Sequence, residues 1–221
     1  MELSECIKYS DHQTGLEEFY EKALRVACEA PAGIPFLEIG TREGGSALVL
    51  LKAIKDSRVS RPLITVDPYG SKPYVLEKDI KHPETVPVGF DFRTLDQCEQ
   101  FYRGAAWLLA DFCFREKLDH FHFHIESADF MATYPMMKIW WEGKILEQKF
   151  AFVYLDGEHN VAPVINELNW FLPRMVKDGI IAIDDIEHIY NSGDEMLTRV
   201  VKEAHVTPGI NRLYYTVTYG A

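Results

Sequence analysis

The chain has 221 residues, 47% of them hydrophobic and 13% aromatic, enough to bury a sizeable core and too apolar for a disordered segment. Its 34 acids against 23 bases leave a net charge of -11 with no basic block, which argues against nucleic acid or an anionic membrane as the main partner. No apolar run approaches the roughly 18–20 residues that span a bilayer. The first 20 residues lack the apolar core of a secretory signal, and Cys6, Cys28, Cys98 and Cys113 show no CxxC spacing, so a soluble protein of a reducing cytoplasm is expected.

Helical spacing of Leu16, Phe19, Tyr20, Ala23 and Leu24 predicts a helical region over the first 30 residues, closed by Pro31-Ala32-Gly33. Residues 34–39 form an apolar run interrupted by Glu38, read as a buried strand. A glycine turn follows over 40–45, a helix over 46–54, and a second strand over 63–66 that ends at Asp67-Pro68. Residues 69–92 carry Pro73, Pro83 and Pro87 with no clear period, which suggests a lid-like loop. A helix is expected over 94–116 and a third strand over 120–125. Broken helix is expected over 128–148, where Pro135 and Gly143 interrupt. A strand at 152–155, a helix, a turn at Lys177-Asp178-Gly179 and a strand at 180–183 come next. A helix near 195–204 and a last strand at 212–218 finish the chain. Alternating short apolar strands and helices are the mark of an α/β doubly wound sheet, and no linker divides residues 1–221 into two domains.

Two stretches carry chemistry. In FLEIGTREGGSA, strand, glycine turn and helix present backbone N–H groups to a nucleotide-like ligand. Glu38 in that strand would repel a pyrophosphate and suits an amine-bearing ligand, while Asp67 is placed to take two ribose hydroxyls. A plain tight turn with an exposed acid is the alternative. In LDGEH…DGIIAIDD, two strands each end in acid, Asp156 with Glu158 and then Asp184-Asp185. Parallel strands bring such ends to one rim, where crowded carboxylates repel and a hard cation relieves them. A helix cap at Asp184-Asp185 is the alternative there. His120, His122 and His124 alternate along a strand and read as half-buried strand residues rather than a metal face.

FLEIGTREGGSA and ITVDPYG resemble the first two motifs of class I S-adenosylmethionine-dependent methyltransferases. The Glu38 variant with GGSA is similar to the catechol O-methyltransferase branch, and LDGEH with the later DD pair to the macrocin-type sugar O-methyltransferases. The resemblance implies a Rossmann-like methyltransferase fold, with a mostly parallel seven-stranded sheet, an N-terminal helical region and the 69–92 insertion. It implies that Gly40, Thr41, Gly44, Gly45 and Ser46 hold the methionine end of the cofactor, with Glu38 near its ammonium and Asp67 on the ribose. Ser127 and Ala128 would lie against adenine. Asp156, Asp184 and Asp185 would bind Mg²⁺ (or Mn²⁺ or Ca²⁺), with Asp156 also beside the cofactor and Glu158 or His159 as the base. The expected substrate is a small hydroxylated molecule, a sugar or other natural-product-like acceptor. A hydroxylase or other nucleotide-cofactor enzyme on the same fold, and a non-catalytic cofactor-binding relic, are the alternatives, and a homo-oligomer stays open.

Overall fold

The computed structural model describes residues 1–10, 13–68, 95–157, 161–184, 199–200, 202–206 and 212–218. Helices α1 (Leu3–Ile7) and α2 (Leu16–Glu29) come first, then β1 (Phe36–Ile39), α3 (Gly45–Ser57) and β2 (Leu63–Val66). After them stand α4 (Leu95–Glu116), β3 (His120–Phe123), α5 (Ser127–Thr133) and the pair β4 (Trp140–Trp141) and β5 (Lys144–Ile145). The remainder is β6 (Phe150–Leu155), α6 (Val161–Phe171), β7 (Met175–Asp184), β8 (His205–Val206) and β9 (Arg212–Thr216).

The sheet has seven strands in the order β3-β2-β1-β6-β7-β9-β8. The pairings among β3, β2, β1, β6 and β7 are parallel, and β9 runs antiparallel to both β7 and β8. This is the expected doubly wound α/β sheet. Phe36, Phe152, Ile180 and Tyr214 face a core built with α1, α2, α3 and α4. Leu37, Val153 and Ile181, each one residue further on, and Leu213, one residue before Tyr214 on the antiparallel strand, face a second core with α5 and α6. Successive strand side chains point to opposite faces, so strands apolar at every position are strands covered on both sides. No helix among the described residues is long and apolar enough to cross a membrane.

Three local expectations change. The N-terminal helical region is two helices, broken before Gly15, whose φ of 75° starts α2. The expected broken helix over 128–148 is helical only to Thr133, followed by a 3₁₀ turn at Tyr134–Met136. It then becomes the antiparallel hairpin β4–β5, turning on Glu142 and Gly143, both at positive φ, the geometry that tight hairpins favour. The turn at 177–179 lies inside β7. Phe150 pairs with Met175 and Phe152 with Ile180, so the extra residues of β7 bulge, with Asp178 at φ 62°. The 69–92 loop lies outside the described residues, as does half of the expected 195–204 helix, of which 199–200 and 202–203 are helical.

Candidate active site

One cleft opens at the carboxyl ends of β1 and β6, where a doubly wound sheet places its ligand. Gly40, Thr41, Gly45, Ser46, Asp156 and Asp184 line it together, joined by Tyr9, Ser10, Leu16, Arg42, Glu43, Tyr154 and Arg212. Gly40 has φ 86°, and a Cβ there would stand 2.0 Å from the Asp156 carbonyl oxygen. Its N–H donates to Val66 and the Asp156 N–H to Ile39, so the turn is wedged between the ends of β2 and β6. Gly45 opens α3 under Ser10, whose backbone leaves no room for a side chain: a Cβ would lie 2.6 Å from the Ser10 Cα. The N-terminal segment, which carries no recognisable motif, thus forms one wall of the cleft.

Glu38 lies beneath the turn, fully buried, and like Asp67 it is not among the residues that line the cleft. Burial pushes its carboxyl up to about 8, against the pull of the nearby Ser46 hydroxyl, and neither carboxylate oxygen makes a hydrogen bond of good geometry. Thr41 Oγ1 is buried without a partner as well. Asp67 is 4% exposed and accepts the Arg42 backbone N–H at 2.9 Å, tying the end of β2 to the glycine turn.

Strand register explains why these polar groups meet. His122, Thr65, Glu38, Tyr154, Ala182 and Tyr214 are successive partners across the sheet and share one face. Two residues along, on the same face, Asp184 pairs with Arg212. The Tyr154 hydroxyl donates to Asp184 Oδ2 at 2.7 Å, and Arg212 Nη2 donates to the Tyr154 oxygen at 2.9 Å and to Asp184 Oδ2 at 3.0 Å. Burial first, then repulsion from Asp184 and Glu38, raises the Asp156 carboxyl well above its usual range. Burial also opposes the charge on Arg212, but Tyr154 and Asp184 outweigh it and keep the guanidinium protonated.

Other expected site residues lie apart. Gly44 is the N-cap of α3, and a side chain there would meet Ala105 and Leu109 of α4 rather than the cleft. Ser127 and Ala128 start α5 beyond β3 and are not among the cleft-lining residues. Glu158, His159 and Asp185 lie outside the described residues. No group of three or more metal-binding side chains occurs among the described residues. His120 Nε2 and His122 Nδ1 instead share the Thr65 hydroxyl, at 2.7 and 2.8 Å. Sequence reasoning missed Tyr154 and Arg212. Tyr154 had a signal, a hydroxyl in an apolar strand two residues before Asp156; Arg212 had none.

A glycine turn wedged into the end of β1, an acid after β2 and a helix starting at the turn define a nucleotide-cofactor enzyme of the doubly wound class. A family described as a methyltransferase domain matches residues 37–186, and the chain belongs to that family: it is a class I S-adenosylmethionine-dependent methyltransferase. Among solved structures it is similar to CalS11, a calicheamicin methyltransferase, at 16% identity and a TM-score of 0.55, covering 94% of this chain and 80% of that one. The O-methyltransferase NovP is similar at 15% identity and a TM-score of 0.55, covering 92% and 79%. No curated protein matches the chain.

Proposed function

We propose that the protein moves the methyl group of S-adenosylmethionine to an oxygen of a small hydroxylated molecule, a sugar or other natural-product-like acceptor. The observation that carries this reading is Glu38, a buried carboxyl with no hydrogen-bond partner behind the cleft-lining Thr41 and Ser46, which suits a cofactor that brings cationic groups. Asp67 takes the ribose and Ser127 and Ala128 the adenine. NovP, an O-methyltransferase with the same fold, supports oxygen as the acceptor atom.

Asp156, Asp184 and Asp185 would hold a divalent cation, Mg²⁺ or else Mn²⁺ or Ca²⁺. The donor chemistry of the two described acids fits. Both offer hard oxygens, Asp156 is repelled by its neighbours, and Asp184 keeps Oδ1 beyond its contacts to Tyr154 and Arg212. When bound, such an ion supplies a lowered pKa to a hydroxyl that touches it. Glu158 or His159 then accepts the acceptor's proton. A second reading rests on Arg212, whose guanidinium already neutralises Asp184, so that no metal is required. The free thiols of Cys6, Cys28 and Cys113 support a cytoplasmic setting.

Calorimetry with S-adenosylhomocysteine tests the cofactor site. Asp67→Ala is expected to weaken binding by about 1.5–3 kcal/mol, the scale of a hydrogen bond to a charged group; unchanged affinity removes Asp67 from the site. Methyl transfer to a panel of hydroxylated acceptors, followed by mass spectrometry with EDTA and after Mg²⁺ is restored, separates the two readings. Turnover that survives the chelator selects the metal-free one.

A further inference from the structure

Arg212 opens β9, the antiparallel strand that sequence reasoning left without a role. It is 3% exposed, yet it lines the cleft. Nη2 is committed to Tyr154 and Asp184. Nε and Nη1 are buried with no hydrogen-bond partner among the described residues. A buried donor without an acceptor is costly, and a charged one more so. The guanidinium is nonetheless held firmly. Its carbon lies 5.0 Å from the centre of the Phe19 ring and 5.1 Å from that of Tyr154, and its register partner Asp184 anchors one end. A rigid, charged fork with spare donors, on a residue that lines a ligand cleft, is a site for an oxyanion.

Glu38 supplies the complement. It is fully buried beside Thr41 and Ser46, which line the same cleft, with neither oxygen hydrogen-bonded, and is close enough to Arg212 for their charges to interact. A carboxyl with no hydrogen-bond partner and a guanidinium with two donors left over beyond its pairing to Asp184 match an α-amino acid headgroup: the ammonium goes to Glu38 and the carboxylate to Arg212. Neither group hydrogen-bonds to the other.

We propose that Arg212 is the carboxylate anchor of the cofactor, binding the α-carboxylate of its methionine end through Nε and Nη1, while Nη2 keeps Tyr154 and Asp184 in place. The inference rests on the reading that the methionine end occupies this cleft. It assigns the last strand a part in cofactor recognition.

Calorimetry with three probes tests it: S-adenosylhomocysteine, its decarboxylated analogue S-adenosyl-3-thiopropylamine, and 5′-methylthioadenosine, which lacks the whole headgroup. The wild type is expected to bind S-adenosylhomocysteine about 10–100-fold more tightly than the decarboxylated analogue, the factor that one or two charge-assisted hydrogen bonds supply. Arg212→Gln removes the charge, and Arg212→Lys keeps a cation for Asp184 while losing the fork. Both should bring S-adenosylhomocysteine down to the affinity of the analogue and leave the analogue and 5′-methylthioadenosine unchanged. That unchanged binding also reports that the variants are folded. Equal loss for all three probes, or an undiminished preference for the carboxylate in both variants, overturns the proposal. A wild type that binds none of the three overturns the cofactor reading of the cleft, and this proposal falls with it.

Discussion

The two faces of the sheet are built from the same strands and do different work. Under α5 and α6 every strand position is apolar: Leu37, Ile64, Val153, Ile181 and Leu213 meet Phe130, Leu168 and Phe171. Phe150 sits there among aromatic rings, with ring centres 5.5 Å from both Tyr134 and Phe171. Under α2 and α3 the first rows are just as apolar, with Phe19 edge-on to Phe152 at 5.5 Å. Then, near the carboxyl rim, the face turns polar with His122, Thr65, Glu38, Tyr154 and Tyr214 in one row. One face stabilises by burial; the other gives up some stability for buried polar groups, among them Glu38, whose carboxyl oxygens have no hydrogen-bond partner.

The sharpest way to break this comparison is to damage the apolar face alone. Phe150→Ala should cost about 3–5 kcal/mol of stability, the price of deleting a buried aromatic ring and leaving a cavity. Cofactor affinity of the folded fraction, measured by calorimetry well below the melting temperature, should be unchanged. A parallel loss of affinity would mean that the two faces are not separable.

The polar face should behave in the opposite way. An unfolded glutamate titrates near 4.5, whereas burial holds folded Glu38 at about 8. The folded state therefore binds the proton more tightly, and stability falls as pH rises from about 4.5 to about 8. Glu38→Gln removes that slope. Melting curves of the two proteins should coincide near pH 5 and diverge by a few kcal/mol near pH 8, the variant being the more stable, while its S-adenosylhomocysteine affinity drops at least about tenfold. Parallel melting curves across that range would show that Glu38 is ionised and compensated.

A smaller effect is expected at the far end of the polar row. Thr65→Val deletes the hydroxyl that serves both His120 and His122 and should cost about 1–3 kcal/mol by stranding two half-buried ring nitrogens. Burial lowers the two imidazoles to about 3 and about 4. The wild type should therefore lose stability as pH falls from about 6.5 through about 4, because only the unfolded chain protonates them readily. An acid-melting series that is flat through that window contradicts the half-buried, neutral pair. Smallest of all is Trp140→Ser on the hairpin outside both faces. Its ring is 66% exposed, and the change should stay within about 0.5 kcal/mol by thermal melting.

Much of this was legible in the sequence. Runs such as Phe152–Leu155 and Ile180–Ile183 announce strands buried on both sides, because a parallel sheet needs apolar residues at every position. Gly40 and Asp67 could be placed because strand ends and glycine turns are local features. What failed was also physical. The hairpin of Trp140 and Ile145 was hidden because helix breakers such as Pro135 and Gly143 say where a helix stops, not what replaces it. The length of β7 was hidden because Lys177-Asp178-Gly179 reads as a turn, and a bulge inside a strand uses the same residues.

The sequence by itself determined the fold class, the glycine turn, and the acids at the ends of β1, β2, β6 and β7, since each follows from contacts between near neighbours in the chain. Only the tertiary structure decided which groups meet. Tyr154 and Arg212 are 58 positions apart and touch because β9 runs back antiparallel beside β7, which brings its first residue to the rim where the parallel strands end. No period or motif in one strand encodes its register against another. Glu38 could therefore be read from its own strand, while the guanidinium that completes its cleft could not.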